Sequence, residues 1–186
     1  MSFLPTNYEV PKTSNGGYMR LEKGTNKIRI LSSAIVGALV WGDKDGKPSP
    51  YRYRVGEPIT AKPKREGDLV KHFWAFAVWN YKEESVQILE ITQRSIQEVI
   101  EEFCASDEYG DPKGYDITIK REGDGLETKY TVVPSPPKKT ADEILKSFKD
   151  TPINLNALYD GGNPFDTQSE PQTTSEAQKE AEEIFG

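Results

Sequence analysis

The chain has little of the chemistry that cross-links small secreted domains or holds structural metals. It contains one cysteine, Cys104, and one histidine, His72, in 186 residues. A single cysteine excludes an intramolecular disulfide, and it gives no indication of an oxidising compartment. One cysteine with one histidine is too few for a structural zinc cluster. The sequence therefore predicts no metal and no other cofactor.

Long hydrophobic runs are also missing. No apolar stretch is long enough to span a bilayer, and no charged and apolar signal segment stands at the N-terminus. These two absences predict a cytoplasmic protein without a membrane partner. The sequence also lacks a Walker-type glycine-rich loop, a His/Cys pair and metal-spaced histidines, so we expect no enzymatic activity and no small-molecule substrate.

Charge is distributed unevenly along the chain, although the whole carries a net charge of -6. Residues 1–82 have 14 Lys/Arg against 7 Asp/Glu, residues 83–159 have 9 against 16, and residues 160–186 have 1 against 7. This asymmetry is typical of a polyanion-binding region followed by a separate acidic segment. Ordinary surface charge is the alternative explanation.

The densest aromatic run, residues 71–81 (KHFWAFAVWNY), predicts a β-strand. It is rich in β-favouring aromatics, lacks Gly and Pro, and is too short for a membrane helix. Alternation puts His72 and Trp74 on one face and Phe73 and Trp79 on the other. A strand buried on both faces and a strand with one face open to a ligand are both compatible with this pattern.

The order of the predicted elements is typical of a small barrel. Five strands are predicted, at residues 27–41, 71–81, 86–91, 115–120 and 129–133. One helix is predicted between the third and fourth strands and a second helix after the fifth. Gly37 is expected to bend the first strand. We therefore predict a mainly β, five-stranded OB-fold barrel over residues 18–150, with a basic insertion at about 43–70.

In an OB-fold, nucleic acid lies across the second and third strands, which here include the aromatic run, and beside the loop that holds the basic insertion. Single-strand binders stack bases on flat rings and neutralise phosphates with cations. The candidate stacking residues are Trp41, Tyr51, Tyr53, Trp79 and Tyr81, with Trp74 or Phe73 depending on which face of the second strand is open. The candidate phosphate-binding residues are Arg29, Arg52, Arg54, Lys62, Lys64, Arg65 and Lys71.

Both ends of the chain have compositions that do not predict a fold. Residues 1–17 contain Pro, Asn and Gly with little periodicity, which predicts a flexible arm. Residues 151–186 are predicted to be a linker and a disordered acidic tail. The end of that tail, Glu182-Glu183-Ile184-Phe185, is acidic and then apolar. We expect it to bind partner proteins and the tail to compete with nucleic acid, although an inert solubilising tail is the alternative.

Four blocks of the sequence resemble phage-encoded single-stranded DNA-binding proteins: residues 15–24 (NGGYMRLEKG), 71–74 (KHFW), 87–93 (QILEITQ) and 110–117 (GDPKGYDI). The resemblance extends over about residues 15–135. It implies an OB-fold protein that coats and protects single-stranded DNA during phage DNA replication, recombination or repair in the cytoplasm of the infected bacterium. It also implies an acidic tail that recruits replication or recombination proteins. Some members carry a zinc cluster, whose ligands this chain lacks, so the resemblance is to a zinc-free branch.

Three alternatives stay open on the sequence alone. A protein-binding adaptor would use the barrel and the Ile184-Phe185 tail without affinity for nucleic acid. RNA rather than DNA is a second possibility, since OB-folds bind both. The third is a metal-dependent nuclease built on carboxylates that stand in turns: Asp43 and Asp45, or Asp107, Glu108 and Asp111.

Overall fold

A computed structural model of the chain describes residues 17–166. In this part the chain is mainly β, and its eight strands are β1 (Tyr18–Met19), β2 (Gly24–Ile30), β3 (Ile35–Lys44), β4 (Lys47–Arg54), β5 (Lys71–Asn80), β6 (Ser85–Ile91), β7 (Asp116–Glu122) and β8 (Lys129–Pro134). Helix α1 (Arg94–Ala105) lies between β6 and β7, and helix α2 (Asp142–Lys149) follows β8. The predicted arm, apart from its last residue, and the predicted partner-binding residues 182–185 lie outside the described residues.

All eight strands belong to one sheet, in the order β1-β6-β5-β2-β7-β8, with β3 paired to both β5 and β4. β1 runs parallel to β6, and the other pairs are antiparallel. Within residues 17–166 no pairing joins β1 to β8, so the sheet is open. The mainly β class and the positions of both helices are confirmed, whereas the OB-fold barrel stays a prediction.

The predicted first strand is divided into β2 and β3. Ser32 lies in the break, and its hydroxyl oxygen accepts a hydrogen bond from the Ala77 N–H at 2.9 Å, in place of a backbone partner. β2 pairs with the second half of β5, and β3 pairs with the first half. The prediction of one strand bent at Gly37 was therefore wrong. Gly37 instead permits the close approach of β4, since an added Cβ would lie 1.9 Å from the Tyr53 carbonyl oxygen.

Part of the predicted basic insertion is regular, because β4 forms a hairpin with β3. The turn residues Asp45 and Gly46 have φ values of 53° and 80°, the left-handed conformation that a two-residue hairpin turn requires. The Asp43 carboxylate supports the turn by accepting a hydrogen bond from the Gly46 N–H at 2.9 Å. Residues 55–70 form the irregular remainder of the insertion.

Both faces of β5 are buried. On one face, here called the helix face, Phe76 and Val78 pack in a core with Ile96 and Ile100 of α1. On the opposite face, Phe73 and Ala75 are 0% exposed in a second core that also contains Leu39 and Ile88. The middle of the aromatic strand is therefore buried on both sides. This matches the interpretation in which the strand belongs to the core, and not the one in which a whole face is open to a ligand.

The second core is covered by residues 153–165, here called the strap. Leu158 belongs to this core, and four more strap residues pack against it: Ile153, Leu155, Tyr159 and Phe165. The linker and disordered acidic tail were predicted for residues 151–186, but the described part of that range includes the strap, which packs on the sheet. Five apolar side chains placed among Asn, Gly and Pro are enough to hold the segment on an apolar sheet face, although its overall composition is that of a loop.

Candidate nucleic-acid interface

The β3–β4 hairpin and the loop that follows it form an exposed surface, here called the hairpin surface (residues 41–71). Trp41 is 46% exposed, Val55 73% and Leu69 80%. With Ile59 and Val70 they make up five of the eight large hydrophobic residues that are exposed in the described part of the chain. Exposed apolar groups concentrated in one region and surrounded by charges mark an interaction surface.

Two tyrosines of β4 use their hydroxyl groups within the hairpin surface, Tyr51 inside the hairpin and Tyr53 towards the loop. The Tyr51 hydroxyl donates to the Asp43 carbonyl at 3.0 Å, and the Tyr53 hydroxyl accepts from the Ala61 N–H at 2.8 Å. The Lys64 N–H donates to the Trp41 carbonyl at 2.8 Å and fixes the loop further along. Both tyrosines are half-buried. The Tyr51 hydroxyl thus joins β4 to β3 and the Tyr53 hydroxyl positions the loop, roles that the prediction of base stacking did not include.

Several cations belong to the same hairpin surface as Trp41. Lys62, Arg65 and Lys71 are exposed, as the sequence predicted. Within residues 17–166 these three have no ion-pair partner. Lys44 and Lys47 are also exposed and have no ion-pair partner there. They flank the turn at Asp45 and Gly46, but they were not among the candidates predicted from the sequence.

Lys64 is the candidate cation of the loop that already has an acidic partner. Its ammonium lies 3.1 Å from the Asp43 carboxylate. This hydrogen bond is the largest of the effects that lower the pKa of Asp43. Both groups are at the surface, so the pair is worth little, and a phosphate could replace the carboxylate.

Trp41 shares a face of the sheet with two of the candidate cations. Alternation places it on the same side of β3 as Leu39, whose cross-strand neighbours are Arg52 on β4 and Lys71 on β5. A base stacked on the exposed Trp41 ring would therefore have positively charged side chains on the neighbouring strands. The arrangement brings together the ring and the charges that a single strand requires.

Arg52 and Arg54 are engaged within the protein. Arg52 forms a bidentate pair with Glu90 of β6, with nitrogen–oxygen distances of 2.5 and 3.2 Å. The Arg54 guanidinium lies 4.4 Å above the centre of the Tyr159 ring and 3.3 Å from the Glu57 carboxylate. Both arginines lie at the edge of the strap, and a ligand phosphate would have to compete with these contacts.

The structure corrects the predicted role of Arg29 and gives the Tyr81 hydroxyl a partner inside the protein. Arg29 is 1% exposed, and its Nε donates to the Asp116 carboxylate at 2.7 Å. The Tyr81 hydroxyl donates to the same carboxylate oxygen at 2.9 Å. Burial is the main reason why the pKa of Tyr81 is raised. Arg29 cannot reach a phosphate, and the Tyr81 hydroxyl is committed to Asp116 because a buried carboxylate needs these donors.

Phe73 and Trp79 lie on the face of β5 opposite the helix face, here called the strap face because the strap covers part of it. Phe73 is fully buried beneath the strap, with its ring centre 6.0 Å from that of Tyr159, so it cannot stack on a base while the strap covers it. Trp79 is half-buried between Arg29 of β2 and Val86 of β6, its cross-strand neighbours. Only part of its ring is accessible.

Trp74 lies on the helix face beside a groove of about 510 Å³. The Trp74 indole N–H donates to His72 Nε2 at 3.1 Å, and the β2–β3 break provides Ser32 and Ser33 on the opposite side. Cys104 of α1 also lines the groove. Of the two alternatives for the open face of the second predicted strand, Trp74 is thus accessible and Phe73 is not.

No protein-family model matches the chain, and no curated protein or solved structure matches it either. The part of the chain from residue 17 to residue 166 has no group of three or more His, Cys, Asp or Glu side chains that could hold a metal ion. None of the helices described there is long and apolar enough to cross a membrane.

Proposed function

We propose that the chain binds single-stranded DNA without sequence preference through the hairpin surface. The observation that carries this proposal is the exposed ring of Trp41 on the same hairpin surface as Lys44, Lys47, Lys62 and Lys71, exposed cations that have no ion-pair partner within residues 17–166. Stacking accepts every base because each has a π-face, and phosphate neutralisation is equally independent of sequence.

The biological role that fits this chemistry is coating and protection of single strands during phage DNA replication, recombination or repair. The four sequence blocks that resemble phage-encoded single-stranded DNA-binding proteins support that role. An OB-like arrangement is supported by the chain order, in which α1 separates β6 from β7 and a long insertion separates β3 from β5. The acidic tail would recruit other replication or recombination proteins.

The salt dependence of binding tests the proposal. Fluorescence anisotropy of a labelled oligothymidylate would be measured between about 50 and about 300 mM salt for the unmodified chain and for the double variant Lys62→Ala/Arg65→Ala. We expect log-linear loss of affinity with salt, and a slope that is smaller in the double variant by roughly 0.7 for each phosphate that the variant no longer neutralises. The control is Lys146→Ala/Lys149→Ala on α2, which removes the same charge from exposed positions elsewhere. Equal slopes in all three proteins would contradict the proposed surface.

A protein-binding adaptor is the second candidate, and the apolar residues of the loop favour it. Val55, Ile59, Leu69 and Val70 are exposed and have no role in phosphate binding. An adaptor has no affinity for oligothymidylate at any salt concentration, whereas a single-strand binder loses measurable affinity as salt rises. The same titration with oligouridylate separates DNA from RNA as the ligand.

A further inference from the structure

The strap covers a face of the sheet that is otherwise suited to flat rings. Beneath it lie Phe73, Ala75, Leu39 and Ile88, all at most 1% exposed, and Leu158 of the strap is itself 3% exposed. Tyr18 of β1 lies at the edge of this face and meets the Phe165 ring edge-on, with the ring centres 5.9 Å apart. Without the strap, two aromatic side chains of the sheet would be exposed beside Arg52 and Arg54.

Few polar contacts attach the strap to the sheet. The Tyr159 hydroxyl donates to the Val36 carbonyl at 2.7 Å, and the Tyr159 ring lies under the Arg54 guanidinium. The backbone hydrogen bonds of the strap are largely internal, such as Asn154 N–H to the Pro164 carbonyl at 2.8 Å and Gly162 N–H to the Ala157 carbonyl at 2.9 Å. The strap can therefore leave the sheet without breaking a strand pairing.

The strap has flat rings, like the ligand proposed above, and it carries no positive charge. Its residues 153–165 include Tyr159, Phe165 and one aspartate, Asp160, and no Lys or Arg. An aromatic ring under an arginine, followed directly by a negative charge, is also what a stacked base with its phosphate would present at Arg54. The strap and a single strand are thus complementary to the same groups.

The strap leaves a cleft beside β4. This cleft has a volume of about 550 Å³ and is lined by Tyr18, Arg52 and Tyr53 on one side and by Tyr159 and Gly161 on the other. Its volume is within the range of small-ligand pockets. A nucleotide could enter here before the strap moves, with Arg52 at the cleft wall.

We propose that the sheet face beneath the strap is a concealed part of the DNA-binding surface and that single-stranded DNA displaces the strap from it. This inference rests on the proposed function. The strap occupies the face in the free protein and competes with DNA, and its release exposes Phe73 and Tyr18 for stacking. The hairpin surface makes the first contact, and the concealed face extends it.

Hydrogen exchange on the unmodified full-length chain tests the displacement directly. With saturating oligothymidylate, the amides of Asn154 and Gly162 should exchange faster, because the short turns that hold these hydrogen bonds lose the sheet packing that stabilises them once the strap is released. The amide of Leu31, which donates to the Ala77 carbonyl at 2.9 Å, is the internal reference for the sheet and should not change. If the strap amides exchange at the same rate or more slowly while DNA is bound, the inference is overturned and the proposed function stands.

A substitution in the strap provides the second measurement. Leu158→Ala weakens the contact between strap and sheet, so the dissociation constant for oligothymidylate should fall several-fold. Leu145→Ala on α2, where the side chain is 44% exposed, is the matched control and should change nothing. An unchanged or higher dissociation constant for Leu158→Ala would contradict competition. Failure of the unmodified chain to bind any oligonucleotide would instead reject the proposed function, and the inference with it.

Discussion

The Arg29 guanidinium donates to the Asp116 carboxylate at 2.7 Å in the interior of the protein, and it also donates to the carbonyl oxygens of Lys113 and Lys138. One buried cation therefore ties β2, β7 and the segment that precedes α2 to each other. Replacement of Arg29 by Met should lower the free energy of unfolding by about 3–5 kcal/mol, because Asp116 loses its main charged partner inside the protein. Urea denaturation would measure this loss, and Lys139→Met at an exposed position nearby is the control. A loss below about 1 kcal/mol, the value of a surface pair, would contradict the buried role.

The same ion pair predicts a loss of stability in acid. Burial disfavours the charged carboxylate of Asp116, but hydrogen bonds from Arg29 and Tyr81 and the charges of Arg29 and Lys27 outweigh it and lower its pKa below the ordinary value. The stabilisation is thus complete above the unfolded-state pKa of about 3.9 and disappears as pH falls through the lower folded-state pKa. Asp116→Asn should flatten the stability profile below about pH 4. The exposed Asp124→Asn should leave the profile unchanged, and a similar flattening in both variants would argue against Asp116.

Tyr81 should contribute to stability and not to DNA binding. Its hydroxyl donates to Asp116, so Tyr81→Phe should cost about 1 kcal/mol in the free energy of unfolding. The control is Tyr130→Phe, since the Tyr130 hydroxyl has no hydrogen-bond partner in residues 17–166. Oligothymidylate affinity should be the same in both variants. A selective loss of affinity in Tyr81→Phe, which keeps the ring and removes only the hydroxyl, would show that the hydroxyl contacts DNA.

Trp41 should report DNA binding more strongly than the other tryptophans. Its ring is 46% exposed on the hairpin surface, whereas Trp74 and Trp79 are half-buried. Quenching of tryptophan fluorescence by oligothymidylate should be largely absent in Trp41→Phe and retained in Trp79→Phe. Trp41→Ala should weaken binding by about 1–3 kcal/mol, the usual contribution of one base stack. If Trp74→Phe is the variant that loses quenching, the groove on the helix face is the contact instead.

Gly37 should tolerate no side chain. An alanine Cβ at this position would lie 1.9 Å from the Tyr53 carbonyl oxygen and 3.2 Å from the Phe73 ring, so β4 would have to move away from β3. We expect Gly37→Ala to lower the free energy of unfolding by about 1–3 kcal/mol, as overpacking does. Gly24→Ala is a second glycine variant for comparison: nothing lies within 4 Å of its added Cβ, but its φ of 97° imposes backbone strain alone. An unchanged free energy of unfolding in Gly37→Ala would show that contact with Tyr53 is unimportant.

Individual residues show how far the sequence could predict the candidate site. The exposure of Lys62, Arg65 and Lys71 followed from their place in or beside a polar loop. The burial of Arg29 did not, because a basic residue that alternates with Ile28 and Ile30 has the same pattern whether its face is solvated or covered. Asp116 is 87 positions away in sequence, so only the pairing of β2 with β7 brings it to Arg29.

The strap illustrates the same limit. Its residues are apolar at Ile153, Leu155 and Leu158 but stand among residues typical of loops, and no local period marks them as part of a core. Their burial depends on the apolar strap face of β3, β5 and β6, which is assembled from three separate parts of the chain. Phe73 and Trp74 could not be distinguished as open or buried without knowing what covers each face.

The sequence by itself determined the local features of this protein: the aromatic strand with alternating faces, the helix between β6 and β7, the Asp45-Gly46 turn and the basic character of the loop after it. These depend on side-chain periodicity and on backbone preferences within a few residues. The tertiary structure decided which of the aromatic and basic residues remain accessible. Accessibility depends on what packs over each face, and those contacts join parts of the chain that are far apart in sequence.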